Sequence, residues 1–202
     1  MSRAFRVVKD FEDCLSEYTG APFVVTVDTC SSAILLCCKY AQVSDLPEVE
    51  IPSRTYPSVP CSVIHAGGRV KFSDFRWLGS YQLKPTNVWD CAKGFKRGMY
   101  RRGALMCLSF HSKKSLPLGR GGAILTDDPK ASEWLKMMRY SGRHEVPLTE
   151  DTFEDIGYCC YMAPEMAARG LELMQFIGDD CTQPYEAYQD LSKYTMYTRA
   201  NR

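Results

Sequence analysis

Residues 105–128, LMCLSFHSKKSLPLGRGGAILTDD, constrain this chain more than any other stretch. Two apolar runs, Leu105–Phe110 and Ala123–Thr126, have strand length and are bounded by turn signals. Around the turn stand Ser109, His111, the adjacent Lys113 and Lys114, and the run Gly119-Arg120-Gly121-Gly122. A glycine-rich turn lets backbone come close to a ligand. A strand that delivers two amines into such a turn reads as an anion-holding site with a candidate nucleophilic lysine.

The rest of the chain alternates strands and helices. Phe5–Tyr18 has helical spacing through Val7, Val8, Phe11, Cys14 and Leu15, and Gly20-Ala21-Pro22 stops it. Phe23–Val27 is a short buried strand. Asp28-Thr29-Cys30-Ser31-Ser32 follows, and Ala33–Tyr40 reads as a helix. Strands are expected at Val49–Pro52, Arg69–Phe72 and Asn87–Asp90, with a helix over Ser58–Ala66. Asp127-Asp128-Pro129 is a helix start, with a carboxylate in the cap position and proline in the first turn. Ser132–Tyr140 runs on from it, and a last helix begins near Met162 and ends before Gly178. This alternation predicts an α/β fold with a largely parallel sheet.

Composition narrows the function. Of 202 residues, 45% are hydrophobic and 24% charged, so the chain can bury a core without staples. A formal net charge of +1 gives no reason to expect nucleic acid or membrane as partner. The local balance differs: from Cys91 to Thr126 there are eight Lys or Arg and no Asp or Glu. That run suits phosphate-bearing ligands, or is a solvated basic face. Ten cysteines occur without a CxxC or a zinc-like spacing. No signal peptide is evident, so a reducing cytoplasm is the expected compartment.

Four stretches can meet at one sheet edge, where loops follow strand ends. They are the Thr29 turn, the strand end at Asp90, residues 109–114, and the glycines 119–122. Together they offer hydroxyls, helix-start N–H groups, a carboxylate and a lysine. Pyridoxal phosphate needs a Schiff-base lysine, an acid at its ring nitrogen and an anchor for its phosphate. Each feature also has a plainer reading. Thr29, Ser31 and Ser32 could be ordinary helix caps, Asp90 a solvent-facing strand end, and His111 a structural residue.

The order of motifs resembles the DegT/DnrJ/EryC1/StrS family, the pyridoxal-phosphate-dependent sugar aminotransferases of fold type I. The family's Ser-Phe-x-x-x-Lys followed by Gly-x-Gly-Gly-Ala is matched by Ser109-Phe110-His111-Ser112-Lys113-Lys114 and Gly119-Arg120-Gly121-Gly122-Ala123. Its phosphate turn is matched by Thr29-Cys30-Ser31-Ser32-Ala33, and its Asp-x-Ala by Asp90-Cys91-Ala92. Gly157-Tyr158-Cys159-Cys160-Tyr161-Met162 and Ala167-Ala168-Arg169-Gly170-Leu171 echo a further conserved pair of segments. The match runs in order over roughly residues 5–176.

The resemblance implies a three-layer α/β/α sandwich, a reduced fold-type-I large domain over 1–177, with 178–202 as a short tail in place of the family's small domain. It implies Lys114 as Schiff-base lysine and general base, and Asp90 as partner of the ring nitrogen. Ser109, Ser31 and the Cys30 backbone would hold the phosphate, Tyr56 would cover the ring unless it is core, and Lys93 would border the cofactor. It further implies pyridoxal 5'-phosphate, a nucleotide-linked keto-sugar, glutamate as amino donor, and a homodimer. Three positions depart from the family pattern: Lys93 stands for Gln or His, Cys159 for Asn, and Arg120 for an acid. A catalytically degenerate binding protein of the same fold is therefore the second expectation.

Overall fold

Three strands of the main sheet are buried almost throughout, so both of their faces must be covered. A computed structural model describes residues 3–199. Its strands β1 (Phe23–Val27), β6 (Leu105–Ser109) and β7 (Gly122–Thr126) send alternate side chains to opposite faces. Val24, Met106, Leu108, Ala123 and Leu125 join one core with Phe11 and Leu15 of α1 (Arg3–Thr19) and Ala167 of α5 (Pro164–Met174). Val25, Val27, Leu105, Cys107 and Ile124 join the other. Its helical side is α2 (Cys30–Tyr40), α3 (Ser58–His65) and α4 (Pro129–Arg139). Helices therefore cover both faces, which is the three-layer sandwich.

The remaining elements are β2 (Val49–Pro52), β3 (Val70–Ser73), β4 (Tyr81–Gln82), β5 (Val88–Asp90) and α6 (Thr195–Arg199). The main sheet has the order β1-β7-β6-β5-β4, and β2 with β3 forms a separate parallel pair. The largely parallel sheet expected from the alternation does not form. In the main sheet only β5–β6 is a parallel pair, and β1–β7, β7–β6 and β5–β4 are antiparallel. The cause is the connections. Residues 110–121 between β6 and β7 contain no helix, so β7 turns back beside β6, and residues 83–87 close β4 onto β5 as a hairpin. β7 separates β1 from β6, and the two reversals cancel. β1, β5 and β6 thus run in one direction, with their C-terminal ends at one edge.

Local chemistry accounts for the helix starts. Asp128 caps α4 by accepting from the Lys130 N–H at 2.9 Å, with Pro129 in the first turn. Thr29 caps α2, accepting from the Ser32 N–H at 3.1 Å. α2 thus starts at Cys30, three residues before the expected Ala33, because the Thr29 hydroxyl brings residues 30–32 into the first turn.

A buried ion pair ties the layers together. The Arg139 guanidinium donates to the Glu12 carboxylate at 2.5 Å, to the Thr26 carbonyl at 2.6 Å and to Glu145 at 3.0 Å. Truncating one partner of such a pair leaves a buried charge and costs about 3–5 kcal/mol.

α1 and α5 cross where α5 has Gly170. A Cβ there would stand 2.6 Å from the Phe11 ring, and Phe11 is fully buried. Replacing a helical glycine by alanine gains up to about 1 kcal/mol in propensity. Overpacking a full core costs about 1–3 kcal/mol. The clash wins, so Gly170→Ala is expected to lower the urea midpoint with little change in slope; a midpoint equal to or above wild type would show that the two helices can part freely.

Candidate active site

The shared direction of β1, β5 and β6 decides where the chemistry gathers. β1 delivers the Thr29 turn and the start of α2, β5 ends at Asp90, and β6 ends at Ser109. Gly122, the first residue of β7, is the register partner of both Val27 and Ser109. It lies between two of these strand ends. A Cβ on Gly122 would fall 2.6 Å from the Cys30 nitrogen and 2.6 Å from the Thr29 carbonyl carbon. The glycine is thus required by the approach of the α2 start, not by a ligand.

That start offers free donors. The N–H groups of Cys30 and Ser31 have no partner among the described residues, and the first turn holds no acid. Such a helix end favours an anion. Ser109, half-buried, ends β6 at this edge. Ser31 and Ser32 are otherwise engaged: Ser31 donates to the Ser58 hydroxyl at 2.7 Å, and Ser32 to Asp28 at 2.6 Å. Arg120, the glycine-turn departure, also pairs with Asp28, at 2.6 Å. Capping by Thr29 and free N–H groups coexist in one turn, so the two readings of this motif are not exclusive.

Asp90 is 3% exposed, which removes the solvent-facing reading. It accepts from the Tyr81 hydroxyl and the Ala92 N–H, both at 2.8 Å. The Tyr81 oxygen in turn lies 2.6 Å from the Thr55 hydroxyl. Burial pushes the Asp90 carboxyl above the ordinary aspartate value, opposed by Ala92, Tyr81 and the Lys114 ammonium. Its two hydrogen-bond donors are neutral, so a cationic N–H would suit it.

Lys114 is half-buried in the turn after β6, its N–H bonded to the His111 carbonyl at 2.8 Å. Burial lowers its amine below the ordinary lysine range. Asp90 and Cys30 oppose that shift, and Lys93 adds to it. Lys113 is exposed. Asp90 and Lys114 each act on the other's ionisation, the carboxylate raising and the ammonium lowering its partner's pKa. Burial also holds the Cys30 thiol well above its ordinary value.

Lys93 is 7% exposed and donates to Glu186 at 3.0 Å. Tyr56 is 60% exposed, so the core-packing reading fails. It lies close enough to Tyr188 to influence that phenol. The basic run is less free than its composition suggests. Lys93, Arg97 and Arg120 pair with Glu186, Asp179 and Asp28, all from outside the run. An open groove of about 540 Å³ beside Glu50, Arg69, Lys71 and Lys84 contains none of these groups.

Sequence reading missed Tyr81, Trp77, Glu186 and Tyr188. Trp77 stacks on Tyr188, with centroids 6.0 Å apart and planes 12° from parallel, and donates to the Arg54 carbonyl at 2.9 Å. The only signal was aromatic density in two stretches without periodicity.

The comparisons fit this geometry. The fold is that of the fold-type-I aminotransferases, shared with a Bacillus cereus ATCC 10987 protein assigned as a PLP-dependent aminotransferase (TM-score 0.72, 19% identity, 84% of this chain and 58% of that one). It is shared with the sugar aminotransferase CalS13 of Micromonospora echinospora (0.70, 17%, 84% and 61%). It is also shared with Helicobacter pylori PseC, an aminotransferase involved in the biosynthesis of pseudoaminic acid (0.68, 16%, 87% and 64%). The model of the DegT/DnrJ/EryC1/StrS aminotransferase family matches residues 2–91 and 88–192, and the chain belongs to that family. It spans 58–64% of the length of these three structures. No curated protein sequence matches it.

The site gives a pH test. Because folding raises the Asp90 pKa, ionisation weighs against the fold. That cost is absent well below the ordinary value of 3.8, grows as pH rises through it, and is complete above the folded value. The stability of Asp90→Asn relative to wild type, without cofactor, is therefore expected to be more favourable at pH 7 than at pH 3.5. Chemical denaturation at the two pH values checks this, and a constant or reversed difference would contradict it.

Proposed function

We propose that this chain is a pyridoxal-phosphate-dependent aminotransferase acting on a nucleotide-linked keto-sugar, with glutamate as amino donor. The observation that carries the reading is the carboxylate of Asp90, buried at the end of β5 and held by two neutral donors, at the same sheet edge as an α2 start whose Cys30 and Ser31 N–H groups have no partner among the described residues. Family membership supports the same chemistry. The donor set fits the cofactor: an anion cup, a carboxylate for a cationic ring N–H, and an amine for an aldehyde.

Bound pyridoxal phosphate supplies an aldehyde for a lysine and a protonated ring that draws electrons from the carbon bearing the amino group. The roles of the residues follow. The Cys30 and Ser31 N–H groups and the Ser109 hydroxyl hold the phosphate. Asp90 would accept from a ring N–H and favour its protonated form, and Tyr81 holds Asp90 in place. Tyr56 would cover the ring. The Lys114 amine, its pKa lowered by burial, takes and returns the proton at Nζ. We read residues 1–177 as a compact large domain that binds the cofactor and 178–202 as a short C-terminal tail in place of the family's small domain, and the protein as a cytoplasmic homodimer. The cysteines are all free, in keeping with a reducing compartment. Among the described residues no helix is long and apolar enough to cross a membrane.

A second reading, a protein that binds the cofactor or a nucleotide-sugar without turnover, is favoured by one observation. The segment around Glu186 already sits on Lys93. Purified protein separates the two. A visible absorbance band on adding pyridoxal phosphate, absent in Lys114→Ala, is expected under both. Release of 2-oxoglutarate from glutamate, with an amino-sugar product, is expected of the enzyme alone. Lys114→Ala should lower that turnover by about 10²–10⁴-fold or more; unaltered turnover in the variant would end the assignment of Lys114.

A further inference from the structure

Residues 181–191 cross the site and are tied at both ends. At one end the Ser115 hydroxyl donates to the Cys181 carbonyl at 2.5 Å. The Gln183 N–H donates to the Lys93 carbonyl at 2.8 Å, and its side-chain amide to the Lys113 carbonyl at 2.7 Å. At the other end the Leu191 N–H donates to the Ser53 carbonyl at 2.8 Å, and Tyr188 stacks on Trp77. Between these ties the Glu186 carboxylate meets the Lys93 amine.

The contact is unequal. The Lys93 side chain is 7% exposed and the Glu186 side chain 60% exposed. The lysine is built into the site, and the glutamate lies on it from the solvent side. A buried ammonium needs an anion, and among the described residues Glu186 forms the ion pair of Lys93. The amine of Lys114 is close enough to feel both charges. A carboxylate thus already rests on Lys93, in a segment whose Gln183 side chain is bonded to the carbonyl of Lys113, one residue before Lys114. The anion cup for a phosphate lies elsewhere, at the start of α2. Lys93 stands instead three residues beyond Asp90, and Gln183 bridges its carbonyl to that of Lys113.

We propose that Lys93 recognises a carboxylate of the amino-acid donor, and that Glu186 is an internal occupant of that subsite which the donor displaces. The inference rests on the reading of the protein as using an amino-acid donor. Its logic is competition. A tethered carboxylate acts at an effective concentration on the order of millimolar. The apparent affinity for a free carboxylate is reduced by the fraction of molecules in which the subsite is taken. Removing the charge of Glu186 should restore that affinity, and removing Lys93 should abolish it.

The test uses the full chain, with and without pyridoxal phosphate, and glutarate as probe. Glutarate carries two carboxylates and no amine, so it can bind without reacting. Trp77 reports through its fluorescence, because it stacks on Tyr188, two residues from Glu186 in the same segment. Glutarate is expected to give a saturable change in wild type, about five- to tenfold tighter binding in Glu186→Gln, and no saturable change in Lys93→Met. Lys93→Gln, which keeps a polar group in the buried position, is expected to behave as Lys93→Met does and covers the case in which the methionine variant fails to fold. Equal affinity in wild type and Glu186→Gln, or wild-type affinity in the Lys93 variants, overturns the proposal. So does inorganic phosphate displacing glutarate at equal concentration, since the subsite would then not be selective for carboxylate. The two readings fail separately. Protein that takes up no pyridoxal phosphate but binds glutarate through Lys93 refutes the aminotransferase reading and keeps the subsite. Coloured, active protein without the glutarate response does the reverse.

Discussion

The site depends on one contact between backbones. The first residue of β7 touches the start of α2 so closely that a single methyl group at Gly122 would fall 2.6 Å from the Cys30 nitrogen. That contact fixes the helix start against the strand ends on either side, Val27 and Ser109. The N–H groups at the start of α2 that have no partner among the described residues then lie at the sheet edge where β5 ends in Asp90 and β6 in Ser109. A larger residue at Gly122 would move the helix start away from that edge. Asp90 and the α2 start are held by secondary structure, whereas Lys114 is delivered by the connection between β6 and β7.

The two central ionisable groups are each held against their ordinary preference. Burial resists the charge on Asp90 and also the charge on Lys114. Their mutual attraction reduces both penalties without cancelling either. A chain selected for stability alone would place apolar residues at these positions. Their presence in a desolvated, hydrogen-bonded setting is the pattern expected where charge is used for chemistry. Tyr81 matters here as a support: its hydroxyl holds one Asp90 oxygen and is itself fixed by Thr55.

Much of this was legible in local sequence. The strand lengths around the glycine turn, the strand end at Asp90 and the Asp128-Pro129 helix start each follow from a few adjacent residues. Strand direction did not. The alternation of strands and helices suggested crossovers, but the β6–β7 connection has no helix, and a short helix-free link lets a strand return beside its neighbour. The partners of the site were equally hidden. Tyr81 reaches Asp90 across a hairpin, and Glu186 reaches Lys93 across 93 positions of chain. Periodicity carries no information about such contacts. Tyr56 shows the opposite case: its family position was readable, whereas its exposure depended on what the chain folded next to it.

The contact between Glu186 and Lys93 ties residues 181–191 to the loop after β5. The proposed chemistry turns on Lys114 and Asp90 sharing one cofactor. The most direct measurement is reduction with borohydride after incubation with pyridoxal phosphate, followed by peptide mapping in wild type and Asp90→Asn. The account predicts a single modified residue, Lys114, with markedly weaker labelling in the Asp90 variant at limiting cofactor. Modification centred on Lys113 or scattered over surface lysines, indifferent to Asp90, would contradict it.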